Sequence, residues 1–493
     1  MSTVKRRWPL ILFLVFYLLF AVYSHKDYGI TFDEWDVYWR GKLFYTKIKG
    51  NDPVLQKDFV IKQKSGNKDL LYSSSVYPAV LYIFNGQENF ERYHLLNLMF
   101  AVLIFIAAYE LLLSVFKKPY LAILGPIFLV FTPRFFGDLP ANPKDMPFAV
   151  MYFLSLTAVY FSAKWEEKNR LILLGFVFGL TASLRFVGYS LFAVNFFYSV
   201  FYVKDKKILD VVKENFIIFL IGFLTNIFFL PHLGADPFNN LKNLIVRNNR
   251  FPWIGNLLFL GKEYNLGKGG SPLPWFYLPV WVGVTTPVSI LALFLAVFFQ
   301  KKKNKLIDLF FTSIFINLFI YFLARPTVYN GLRHTLFLLP QMAFVAVVSF
   351  LSLNGQFKKI AALFVIADFI LISIAYISLH PYEYVYFNSL IGGLSKASSL
   401  METDYWSASN REAVRWLDGY LAENKKNKAN IFVCGDNFSA TYYFSGRMAL
   451  TQDKNRADYL ICYKDSYLNG QIKKPVLHTV KREGAVLNYI YGQ

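Results

Sequence analysis

The sequence predicts a polytopic α-helical membrane protein ending in a small α/β domain, and three observations carry that prediction. Of 493 residues, 55% are apolar and only 17% charged, and the mean hydropathy is +0.35, a balance foreign to soluble globules and disordered chains. Apolar stretches long enough for a helix to cross about 30 Å of hydrocarbon, at about 1.5 Å rise per residue, recur as far as residue 378. Beyond residue 378 the polarity becomes ordinary, and short apolar runs alternate with a helical pattern. The aromatic content of 19%, with 52 Phe and 33 Tyr, suits lipid-facing surfaces and interfacial belts.

Eleven spans are expected, at about 8–24, 94–116, 119–133, 147–163, 171–184, 186–203, 214–231, 274–299, 306–323, 334–352 and 359–378. A net charge of +20 would suggest nucleic acid in a soluble protein, but here the cations lie between spans, so no nucleic-acid partner is expected. With a cytoplasmic N-terminus, the short inside segments from Lys5 to Lys359 hold eighteen Lys and Arg, whereas the short outside turns hold Arg134, Lys144, Arg185, Arg325 and Arg333. The positive-inside rule sets that orientation in the inner or plasma membrane, and an odd number of spans leaves the C-terminal segment outside. The first stretch lacks a small-residue cleavage site and reads as an anchor. The domains are then 1–378, with extracytoplasmic loops at 25–93 and 232–273, and an extracytoplasmic α/β domain at 379–493.

In the first loop, Thr31 and Glu34 form a T-x-x-E capping box, and Phe32, Trp35, Tyr38, Trp39 and Leu43 follow at helical spacing. This predicts a helix lying along the membrane, aromatic side down. In the last segment, Ser409 with Glu412 caps a helix to about Glu423, "NIFVCG" and "DYLICY" read as buried strands, and the last twenty residues as a hairpin-like pair. Cys434 and Cys462 fall in the two strands, where a disulfide and a pair of buried thiols are both open. There is no internal repeat, no Walker loop and no dinucleotide fingerprint, and the glycines of "GKGGSP" at 267–272 follow no expected strand.

The chemistry belongs in the outer segments. Asp33 sits in the first turn of its expected helix, where the positive end of the dipole favours an ionised carboxylate able to take a proton from a hydroxyl. The turn "TPRFFGDLPANPKDMPF" crowds Arg134, Asp138, Lys144 and Asp145 together, as a site would, although membrane-surface turns are commonly polar. Arg185 in "GLTASLRFVGYSL" has almost no loop around it, and a cation there seeks an anion such as a lipid phosphate, or snorkels to ordinary headgroups. Arg333 and His334 in "ARPTVYNGLRHTLFLLP" occupy the same depth and offer a second cationic point. Asp33, Glu34 and Asp36 offer oxygens to a divalent cation, Mg or Mn, without a dedicated cage, so no metal site is assigned.

These pieces, in this order, resemble the GT-C superfamily of membrane glycosyltransferases, in particular glycosyltransferase family 39 with its protein O-mannosyltransferases and lipid A aminoarabinose transferases. The resemblance rests on Asp33-Glu34 after the first span, "PKDMPF", "GLTASLRFVGYSL", "PWFYLPVWVGVTTP" and "LRHTLFLLP", and covers most of residues 8–378. "HPYEYVYFNSLIGG" and "ETDYWSASNREAVRWL" are similar to the tail of bacterial members. The resemblance implies a hexosyl- or pentosyltransferase of the cell envelope that moves a sugar from a polyprenyl-phosphate donor to a lipid, glycan or protein acceptor. It further implies Asp33 as general base, Glu34 and Asp145 as orienting acids, and Arg185 with Arg333 or His334 on the phosphate, with Arg134 and Lys144 as further donor-binding cations. A transporter or flippase of lipid-linked sugars is the alternative, and it calls for charges deep in the spans, of which Asp368 is one.

Overall fold

Among the described residues of the computed structural model, helices predominate from Thr3 to Leu379, and a five-stranded sheet follows. The structure describes residues 3–49, 76–85, 88–203, 207–230, 236–249, 251, 253, 255–266, 272–300, 304–466 and 472–492. The middle of the 25–93 loop, the cations Lys204, Lys206, Lys301, Lys302 and Lys303, and the glycines of 267–270 lie outside them.

Among the described residues, five helices are long and apolar enough to cross a membrane: α1 (Thr3–Ser24), α3 (Phe90–Phe116), α4 (Asp145–Ser162), α9 (Lys305–Ala324) and α10 (Gly355–Leu379). Their outer faces are apolar and uncovered, as with Phe16 and Leu19 on α1 and Leu363, Ile366, Ile370 and Ile374 on α10, which suits lipid. The stretches expected at 171–184 and 214–231 fall within α5 (Glu167–Leu184) and α6 (Ile208–Phe229). These two pack closely because Gly175 and Gly179 meet Gly222; a Cβ on Gly179 would lie 2.2 Å from the Gly222 carbonyl oxygen.

Other expected spans are built from pieces. The stretch 119–133 divides into Pro119–Ala122 and Leu124–Val130, because Pro126 has no N–H to give the Ala122 carbonyl. The stretches 186–203 and 334–352 each begin with a 3₁₀ turn, Phe186–Tyr189 and Arg333–Thr335. The stretch 274–299 is not one straight helix: α7 (Tyr277–Thr285) and α8 (Val288–Ala296) belong to a pair bent by 115° at Thr286-Pro287, where the backbone is extended. Both open helix ends are capped from elsewhere. Asn388 donates to the carbonyls of Gly283 and Thr286, each at 2.7 Å, and Asp368 of α10 accepts from the Ser289 N–H at 2.8 Å.

Helix α2 (Phe32–Lys49) forms as expected, but its aromatic side does not face lipid. Trp35 stacks on Phe438 of the C-terminal domain at 4.1 Å, and Tyr38 packs against Tyr82, Phe90 and Tyr93. Half of the expected capping box is present: Glu34 reaches back to the Thr31 N–H at 2.8 Å, while the Thr31 hydroxyl donates to Ala141 O at 2.9 Å.

The C-terminal region holds α11 (Asn410–Glu423) and a mixed sheet ordered β4-β3-β5-β7-β6, with β3 (Ala429–Cys434), β4 (Met448–Leu450), β5 (Tyr459–Tyr463), β6 (Val476–Arg482) and β7 (Ala485–Tyr491). The two expected strands are parallel neighbours with Cys434 opposite Cys462, and a disulfide joins them. The last pair is an antiparallel hairpin. The Ser409–Glu412 box is not made: Ser409 donates to Asp404, and Glu412 pairs with Arg482 at 2.7 Å. An unexpected hairpin, β1 (Asn256–Phe259) with β2 (Lys262–Asn265), stands just ahead of the 267–272 glycines, so a strand does precede them.

Candidate active site

Helix α2 builds one wall of a polar cavity of about 410 Å³. Asp33, Asp36, Val37 and Arg40 line it, the positions i, i+3, i+4 and i+7 that share one face of a helix. Glu34 is turned by about 100° from Asp33, as adjacent helical residues must be. It therefore leaves the cavity: fully buried, its carboxylate lies 2.9 Å from His94 Nε2 and holds the Thr31 N–H. Placing Glu34 beside Asp33 as an orienting acid is corrected by this geometry. The three acids that were to offer oxygens to a divalent cation do not converge, and among the described residues no group of three or more His, Cys, Asp or Glu is gathered for a metal.

The other walls bring distant segments to Asp33. The turn before α4 contributes Lys144, whose ammonium lies 2.7 Å from both Asp33 and Asp36. Asp145, in the first turn of α4 where the dipole favours a carboxylate, has its N–H held by Asn142 at 2.9 Å. Arg185 ends α5, the place where a helix favours a cation, and pairs with Asp145. Arg333 follows Asn330-Gly331, two successive residues with positive φ, a reversal that Asn-Gly adopts readily. Its guanidinium bonds Asp33 and also reaches Asp145, with Nε 3.4 Å from the carboxylate. Asp33, Asp145, Arg185, Arg333 and Lys144 thus form one continuous network, although Asp33 and Arg333 are 300 residues apart. Arg40 and Arg247, which carried no sequence signal, also line the cavity, and Arg40 pairs with Asp36 at 2.6 Å. Among the described residues, Arg40, Lys144, Arg185, Arg247 and Arg333 line the cavity with Asp33 and Asp36, and Asp145 is paired with Arg185 and Arg333.

The electrostatics follow from these contacts. Burial alone would raise the Asp33 carboxyl, but Arg333, Lys144 and Arg185 outweigh it and hold Asp33 well below the usual carboxylate range. Arg333 is raised despite burial, by Asp33 and Asp145. His334 lines the cavity edge-on to Tyr329. Of the two residues expected to offer the second cationic point, Arg333 is the one that makes ion pairs there.

Arg134 also departs from expectation. It is 1% exposed and lies behind the cavity, its guanidinium 5.2 to 5.6 Å from the rings of Trp281, Phe387 and Tyr405. Its neighbour Asp138 is raised by burial to about 7 although Asn142 donates to it. The turn 133–145 is thus buried structure and not a solvated loop.

The fold and the paired charges define a helical membrane protein with a cavity lined by paired charges beside a small α/β region. The chain shares its fold with ArnT from Cupriavidus metallidurans bound to undecaprenyl phosphate, at TM-score 0.50 and 12% identity, over 99% of this chain and 98% of that one. ArnT is a GT-C lipid A aminoarabinose transferase. The same protein in the apo state aligns at TM-score 0.45 and 10% identity, over 85% of this chain and 88% of that one. No family model matches the sequence, and no curated protein matches it.

Proposed function

We propose that this chain is a glycosyltransferase that moves a sugar from a polyprenyl-phosphate donor to an acceptor hydroxyl on the extracytoplasmic side of the membrane. The observation that carries this reading is the convergence of Asp33, Arg333 and the Asp145–Arg185 pair on one cavity. The shared fold supports it, since that ArnT structure holds undecaprenyl phosphate.

The charges suggest the order of events. Before the donor binds, Asp33 is a weak base because Arg333 and Lys144 neutralise it. The donor phosphate's oxygens compete for the guanidinium forks of Arg333 and Arg185. As Arg333 turns to the phosphate, Asp33 is left in a buried setting with fewer counter-charges, and its affinity for a proton rises. Asp33 then takes the acceptor hydroxyl proton while that oxygen bonds the anomeric carbon from the face opposite the phosphate. The carbon–oxygen bond to phosphate breaks with its electron pair going to the leaving polyprenyl phosphate, which Arg185 and Arg333 stabilise. The product is inverted at the anomeric carbon, and no step calls on a metal. The transporter alternative asked for charge deep in the spans, and its acid, Asp368, is committed to the Ser289 N–H.

Cells lacking the chain, complemented with wild type or Asp33→Asn, test this. Mass spectrometry of envelope lipids, glycans and proteins is expected to show a hexose or pentose increment restored by wild type and reduced roughly 10²- to 10⁴-fold by Asp33→Asn, the usual range for a lost general base. Full restoration by Asp33→Asn would refute the assignment.

A further inference from the structure

The segment Met401–Asn410 leads into α11 and packs against residues that line the cavity without lining it itself. Trp406, 1% exposed, lies face-on to Arg333, whose guanidinium carbon is 4.3 Å from the ring centroid. The same indole packs at 5.2 Å against Phe32, the residue before Asp33. One side chain therefore touches both the start of the acid's helix and the cation the acid pairs with. Resting on the function proposed above, we infer that Trp406 is a positioning residue, through which the C-terminal domain fixes the plane of the Arg333 guanidinium for the donor phosphate.

Stacking suits this task better than a hydrogen bond. A guanidinium held by its face keeps all its N–H groups free in its plane, so Asp33, Asp145 and an arriving phosphate oxygen can exchange there while the plane stays put. A hydrogen-bonding support would take one of those N–H groups away.

The C-terminal domain holds the indole in turn. Asp404 accepts from the Tyr384 hydroxyl, the Ser409 hydroxyl and the N–H groups of Ala408 and Ser409, at 3.2 and 3.1 Å for the last two. Ser407 takes a positive φ of 58°, and its hydroxyl meets Ser439 at 3.0 Å. Thr403 donates its N–H to Asp465 at 2.8 Å. Each of these contacts bears on the segment and none on the cavity, so the domain acts on the site through the residues it anchors.

The test is a double-mutant cycle on the full chain in lipid nanodiscs, with undecaprenyl phosphate as the probe and a thermal midpoint as the check on folding. Trp406→Leu is expected to weaken binding about tenfold, and Trp406→Phe less, because a smaller ring still offers a face. In an Arg333→Ala background, neither substitution should weaken binding further. A residue that merely fills space would lower the thermal midpoint and leave affinity unchanged, or lose affinity equally with and without Arg333; either outcome overturns the inference. If Trp406→Leu does not fold, the Trp406→Phe arm of the cycle reads the same coupling. Absence of binding by the wild-type chain overturns the functional reading itself and this inference with it, whereas binding that is indifferent to Trp406 overturns only the latter.

Discussion

Asp33 carries the most weight of any residue, and its environment fixes a sign that can be measured. Its carboxyl is held below the ordinary value of 3.8, so the ion-pair contribution to stability is present above that value and lost only as pH falls through the lower folded one. Before any donor binds, Asp33 is therefore ionised throughout about pH 5 to 8, and on the function proposed above kcat/KM should show no acid limb from it there. Arg333→Ala removes the largest opposing charge while burial remains, so the Asp33 value must climb. Single-turnover transfer by Arg333→Ala is expected to be slower and to gain an acid limb displaced upward relative to wild type. An unchanged limb would show that Asp33 is not the titrating base. Arg185 stood out in the sequence as a charge between apolar stretches, and Asp33, Lys144, Asp145 and Arg333 as members of charged turns beside them; the structure brings the five together. Glu34 was misplaced because adjacency in sequence is not adjacency on a helix, and the stripe of Asp33, Asp36, Val37 and Arg40 was the better guide. Trp406 gave no signal, since its partner lies in another segment of the chain.

Among the elements, the broken pair α7–α8 shows how an acid can live inside an apolar bundle. Breaking a helix at Pro287 exposes carbonyls on one side and N–H groups on the other, and where water is absent both must find partners. Asn388 and Asp368 supply them. Asp368→Ala leaves the buried Ser289 N–H unpaired and is expected to cost about 1–3 kcal/mol. Asp368→Asn keeps an acceptor oxygen and should recover most of that. Thermal midpoints in detergent decide it, and equal losses for the two variants would mean that Asp368 acts through its charge. The break stood in the sequence as Thr286-Pro287, yet the stretch read as one span because hydropathy windows average over such a dipeptide. The strands β3 and β5 and the final hairpin were legible because short runs of β-branched and aromatic residues stood between turn residues. The Ser409–Glu412 box failed where tertiary partners, Asp404 and Arg482, took both side chains.

At the scale of the whole molecule, several lysines stand exposed at one end of the bundle, and four cations are withdrawn from solvent or paired at the other, where Arg325 stays exposed. At one end, Lys117, Lys118, Lys164, Lys168 and Lys359 stand exposed, as cations do at a cytoplasmic surface. At the other, Arg134 and Arg333 are buried to within 4% exposure, and Lys144 and Arg185 are committed to carboxylates. Cations that fix orientation need only water and headgroups, whereas cations that serve a site must be withdrawn from both. This asymmetry predicts the topology of the intact protein. Lys359→Cys and Asn424→Cys are both exposed positions at opposite ends, and the Cys434–Cys462 disulfide leaves no native thiol to compete. A membrane-impermeant maleimide applied to spheroplasts is expected to label Asn424→Cys at once and Lys359→Cys only after lysis. The reverse pattern would put Asp33 and its cavity on the cytoplasmic side, where a donor displayed on the outer leaflet could not reach them.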